Sequence, residues 1–166
     1  FALGLIYWLS FLALRDYTPR FFYVSDLSWV ASFLFLLLLN LSVTKKEEKG
    51  LCLPAVAVAA VLALLTGILA TYGDMMMTLI WCGFLIASAY LSVRGLLYAR
   101  RQSGDQRRLQ YLHAAILLLV FAEFSLWLIS CYFKENTLAN PYFWYDFLLT
   151  AGLFALMPAM KKAVDV

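Results

Sequence analysis

The chain has 166 residues, 64% hydrophobic and 17% aromatic, with only 14% charged and a formal net charge of +3; its mean hydropathy is +0.83. A soluble domain is roughly half apolar and about a quarter charged, so this balance excludes an ordinary water-soluble globule and makes the bilayer the solvent that fixes the fold. No basic stretch is interleaved with aromatic residues, which argues against a nucleic-acid partner.

Charge clusters cut the chain into six apolar runs of the size a membrane span requires, about twenty residues at about 1.5 Å rise each. They fall at about 1–14, 27–43, 51–72, 75–98, 110–133 and 142–160. The runs lack the polar alternation of a membrane barrel strand, and only helices then satisfy every backbone group within a segment. The expected fold is all-α: one transmembrane domain over 1–166, a polytopic membrane helical bundle of about six transmembrane helices arranged as three hairpins. The first run starts at Phe1 rather than Met and is short for a span, so residues upstream are expected to be missing.

Basic residues set the orientation. Lys45, Lys46, Lys49, Arg94, Arg100, Arg101, Arg107, Arg108, Lys161 and Lys162 fall on one side, and only Arg15, Arg20 and Lys134 on the other. The loops TKKEEKG and RRQSGDQRR are therefore expected in the cytoplasm, together with the C-terminus. The connections RDYTPRFFYVS, YGD and KENTLANPYFWY are expected outside.

The outer entrances to the second, fourth and sixth runs each carry an aspartate: Asp26 in YVSDLSW, Asp74 in TYGDMMM and Asp146 in FWYDFLL. Each could cap a helix N-terminus, accepting from free backbone N–H groups at the positive end of the dipole. Pro19 and Pro141 each precede an aromatic cluster and then an acid, a pattern that interfacial anchoring or a faint internal repeat would both produce. Farther along, Asn40 is placed to bond another helix, and Ala55, Ala59, Ala63 and Gly67 form a small-residue row suited to close packing or to a partner subunit. Pro54 falls in a first turn, where it costs little, and Pro158 weakens the last turn of the sixth helix.

The fifth run holds the least expected residue. Glu123, in LLVFAEFSLWL, lies about thirteen residues in from the cytoplasmic end, roughly 20 Å into a hydrocarbon core about 30 Å thick. It must be protonated and hydrogen-bonded, paired with a base, or facing a water-filled cavity. No lysine or arginine sits at its depth, but Asp146 falls within about one turn of its level, and Thr66 and Ser125 are candidate hydroxyl partners. Two acids at one depth would hold a proton, a cation or an amine more readily than either alone; alternatively, Glu123 simply joins two helices as a neutral acid. The exterior aromatics, Trp29, Trp144 and Tyr145 among them, are either a headgroup belt or the lining of an outward pocket above Asp26, Asp146 and Glu123 that would take a small amphipathic or cationic ligand. His113, one turn inside the fifth helix, is expected as an interfacial hydrogen-bonding residue.

No cofactor, metal site or catalytic group is signalled. Cys52, Cys82 and Cys131 are far apart and without CxxC spacing, and GxSxG, HExxH and a phosphate-binding glycine loop are all missing. The span number, the charge placement, the aromatic-Asp entrance YVSDLSW and a last helix running into AMKKAVDV resemble the multi-span input domains of bacterial histidine kinases and diguanylate cyclases. The resemblance implies a sensory domain in a bacterial plasma membrane, detecting a ligand or proton from outside and passing the signal to a cytoplasmic output domain or partner subunit. Six spans with an outward pocket are also similar to the substrate-binding subunits of energy-coupling-factor vitamin transporters, although the small-residue row expected near the start of such a chain is missing from FALGLIYWLS. A structural membrane subunit, in which Glu123 merely holds helices together, is the third alternative, and a homodimer is among the expected assemblies.

Overall fold

The computed structural model describes residues 2–15, 23–44, 50–72, 75–133 and 139–164, excepting the side chains of Tyr23, Asp105 and Val164. Asp74, the exterior Tyr17, Phe21 and Phe22, and the basic Arg20, Lys45, Lys46, Lys49 and Lys134 lie outside the described residues. Six helices follow in order: α1 Ala2–Leu14, α2 Tyr23–Val43, α3 Leu53–Leu69, α4 Met75–Arg100, α5 Asp105–Tyr132 and α6 Pro141–Val164. Among the described residues there is no strand.

Among the described residues, four helices are long and apolar enough to cross a membrane, over Val24–Val43, Met75–Arg100, Gln106–Tyr132 and Pro141–Ala163, consistent with a multi-pass integral membrane protein. At 13 and 17 residues, α1 and α3 are shorter: about 20 and 25 Å, against a hydrocarbon core of about 30 Å. The outward face is apolar, with Leu64 at 74%, Phe154 at 79% and Met157 at 71% exposure. Such a surface would be an aggregation hazard in water and suits lipid.

The order of packing makes α4 the centre. Consecutive helices pair as α1 with α2, α3 with α4 and α5 with α6, and α4 also packs on α2 and α5. Its buried positions, Thr78, Trp81, Cys82, Leu85, Ser88, Ala89, Ser92, Gly95 and Ala99, recur every three or four residues as a helix buried along one broad face demands. α6 is the outermost element: among the described residues it packs only on α5, burying Leu149 and Gly152.

Local chemistry sets several boundaries. Asn140 precedes α6 and its Oδ1 accepts from the Tyr142 N–H at 2.9 Å, with Pro141 at the first helical position where a missing N–H costs nothing. Gly104 takes φ +64° in the short α4–α5 turn, a backbone region open to glycine at little cost. Gly95 lets α4 lie against the ring of His113; a Cβ there would collide with it. Gly152 does the same for α6, where an added Cβ would fall 2.9 Å from Leu119 Cδ2.

Several details differ from the sequence reading. α2 begins at Tyr23, so Asp26 sits inside its first turn rather than at the cap, and Asp146 is the sixth residue of α6. α6 also continues through Pro158 to Val164. The alanine row leaves the packed face: Ala55 is buried, Ala59 half-buried, and Ala63 and Gly67 exposed. A strict four-residue step advances a row by roughly 40° each time, so by Ala63 the row has rotated away from α4, and Leu62, Thr66 and Leu69 take its place.

Candidate functional site

The start of α2, the start of α4, the end of α5 and the start of α6 meet at one end of the bundle. Between them, with α1 closing one side, lies a cavity of about 420 Å³, within the usual size of a small-molecule site. Three acids line it: Asp26 from α2, Glu123 from α5 and Asp146 from α6. Asp146 is exposed at the mouth and Asp26 half-buried, while Glu123 is only 2% exposed. No lysine or arginine is among the lining residues described.

Four tryptophans form the wall, one each from α1, α2, α4 and α5. Trp8 and Trp29 have ring centroids 6.2 Å apart, Trp29 and Trp81 6.1 Å, and Trp81 meets Trp127 edge-on at 4.4 Å. Such tilted and T-shaped pairs are the arrangements that ring quadrupoles favour. Together they form a continuous aromatic arc facing the acids.

Glu123 is held by its own helix. The Trp127 indole N–H donates to Glu123 Oε1 at 3.0 Å, across the i, i+4 spacing that brings side chains onto one face. Oε2 is buried with no hydrogen-bond partner among the described residues. Neither hydroxyl expected beside it bonds to it: Thr66 Oγ1 donates to the Leu62 carbonyl at 2.8 Å, and Ser125 is half-buried elsewhere on α5. The acid therefore presents one oxygen fixed by an indole and one oxygen uncommitted.

Of the residues singled out in the sequence, Asp26, Trp29, Glu123 and Asp146 share this cavity, whereas Trp144 and Tyr145 do not line it. Tyr142, Asp146 and Leu149 do, spaced four and three residues apart along one face of α6. Trp144, two residues from Asp146, points about 200° away; it is 59% exposed and packs edge-on against Phe143. Tyr145 meets Phe121 instead, at 6.1 Å. Trp8, Trp81 and Trp127 also line it, and the four-residue step from Glu123 to Trp127 is the sequence signal that could have found the last of them.

A second buried polar group lies toward the other end. Asn40 Nδ2 donates to the Ser88 carbonyl at 3.0 Å and to Ser92 Oγ at 2.7 Å, joining α2 to α4 as expected. His113 is fully buried, yet neither ring nitrogen has a partner among the described residues, so it is not the interfacial hydrogen-bonding residue expected; it fills the space that Gly95 leaves.

The chain matches no protein-family model, no curated protein and no solved structure.

Proposed function

We propose that this is a membrane sensory or receptor domain in which all six helices span, α1 and α3 included, each packed along a longer partner and accommodated by tilt or local thinning. The positive-inside pattern puts the acid-and-tryptophan cavity on the outer side of a bacterial plasma membrane and the C-terminus in the cytoplasm. The observation that carries the proposal is the buried Glu123, with Oε2 uncommitted, in a cavity of 420 Å³ that three acids and four tryptophans line. A ligand or proton arriving there changes the charge or contacts of Glu123 and Asp146, which sit on different helices. The α5–α6 pair responds, since among the described residues α6 packs on no second helix. At the inner end Lys162 Nζ lies 3.8 Å from the centroid of the Tyr111 ring, so displacement of α6 is transmitted where a cytoplasmic output domain or partner subunit would attach.

The test is a spin-label distance measurement between Arg107→Cys and Lys161→Cys in a background lacking the native cysteines, reconstituted in nanodiscs. Tetramethylammonium or a pH step is expected to shift the distance distribution by about 2 Å, the size of ordinary interface helix shifts, and Glu123→Gln to abolish the response. Binding without any shift would overturn the receptor reading in favour of a solute-binding transporter subunit. That second reading is favoured by one feature, the exposed small residues Ala57, Ala60, Ala63 and Gly67 of α3, which suit a docking partner.

A further inference from the structure

A second hollow lies beside the acidic cavity, along α2 and α6. These two helices do not pack on one another among the described residues. Between them runs an apolar cleft of about 160 Å³, with Leu119 of α5 as its floor. Its walls lie about one turn farther along the same two helices, with no lining residue shared between the two hollows. On α2, Trp29 of the cavity is followed one turn later by Phe33 of the cleft, and on α6 Leu149 is followed by Leu153 and Leu156. From the level of Trp29 to Leu39, the last α2 residue of the cleft, is about 15 Å along the helix.

We propose that the ligand is an amphiphile with a cationic ammonium head, taken from within the bilayer through the gap between α2 and α6. The inference rests on the ligand-binding reading above and names its ligand class. The head sits among Asp26, Glu123 and Asp146 and against the tryptophan faces, which attract a desolvated cation. The uncommitted Oε2 of Glu123 is its buried counter-charge. The alkyl chain follows the cleft past Phe33, Leu119 and Leu153. Charge complementarity selects the head, since three acids and no lysine or arginine line the described cavity. The apolar continuation selects a chain-bearing cation over a free one: a water-soluble ammonium would leave the cleft to lipid.

The experiment uses the full chain in nanodiscs of phosphatidylglycerol, a lipid without a cationic group. An alkyltrimethylammonium, an alkyl sulfate and an alkyl maltoside, each with the same brominated chain, are added at matched mole fractions. Contact quenching of tryptophan fluorescence is recorded, and tetramethylammonium binding is measured separately by calorimetry. The cationic amphiphile is expected to reach half-quenching at a mole fraction about tenfold lower than the other two. Glu123→Gln removes that preference. Leu153→Phe with Leu156→Phe, which fills the cleft, removes it too while leaving tetramethylammonium binding intact. Equal quenching by all three heads, with tetramethylammonium still bound, overturns the amphiphile and leaves the ligand cavity standing. Equal quenching without tetramethylammonium binding overturns both.

Discussion

At the residue scale, the position of Glu123 is an energetic problem with few solutions. A charged carboxylate at the centre of a span costs about 3 kcal/mol, and one hydrogen bond to a charged group, such as that from Trp127, contributes about 1.5 to 3 kcal/mol. The indole serves Oε1 alone, and Oε2 has no hydrogen-bond partner among the described residues. The acid itself was legible in the sequence, because a lone carboxyl among apolar neighbours is conspicuous in a span. The tryptophans were not, since an indole inside an apolar run looks like any other large hydrophobe until the helix faces are known. The same limit hid Gly95, whose value lies in what it does not carry. Gly95→Ala drives a Cβ into the buried ring of His113, an overpacking that typically costs about 1 to 3 kcal/mol. Reversible unfolding in mixed micelles should show a loss of that size for Gly95→Ala, and little for Gly83→Ala, where an added Cβ meets nothing within 4 Å. Equal losses at the two sites would mean that α4 and α5 do not approach through Gly95.

At the element scale, the helices were readable from hydropathy because lipid leaves the backbone no other solution, and the hairpin pairing followed from short connections. Helix phase was not readable. The alanine row of α3 looked like a packing face because its spacing was regular, but a strict four-residue repeat drifts off a seam, and the structure buries Thr66 and Leu69, with Leu62 half-buried, instead. Likewise Trp144 and Tyr145 share a cluster with Asp146 in sequence but not a face in space. α6 is the element most open to displacement, since among the described residues α5 alone supports it. Its C-terminal end is tied by Lys162 over Tyr111, a contact worth about 0.5 to 1 kcal/mol at an exposed site. Tyr111→Leu should therefore broaden the Arg107→Cys to Lys161→Cys distance distribution without ligand. The fold should survive, because Tyr111 is 41% exposed and contributes little core. An unchanged distribution would show that the tie does not restrain α6, and the relay would then have to run through the α5–α6 packing at Leu119 and Gly152.

At the scale of the whole molecule, the cavity and its proposed direction of sensing depend on which side of the membrane carries the basic loops. The cavity gathers the starts of α2, α4 and α6 and the end of α5, whereas Arg100, Arg101, Arg107, Arg108, Lys161 and Lys162 cluster at the opposite ends of the same helices. A basic end facing outward would oppose the bias that retains Lys and Arg in the cytoplasm, and the asymmetry here is large enough to dominate. The expected outcome is specific. In a chain whose native cysteines are replaced, Gln102→Cys in the α4–α5 turn should react with a membrane-impermeant maleimide only after the membrane is opened. Ala139→Cys, just before the Asn140 cap of α6, should react in intact cells. The reverse pattern would turn the acid-and-tryptophan cavity toward the cytoplasm and remove the outward-sensing proposal. It would leave the amphiphile cleft intact, because a lateral gap between α2 and α6 opens to lipid whichever end faces out.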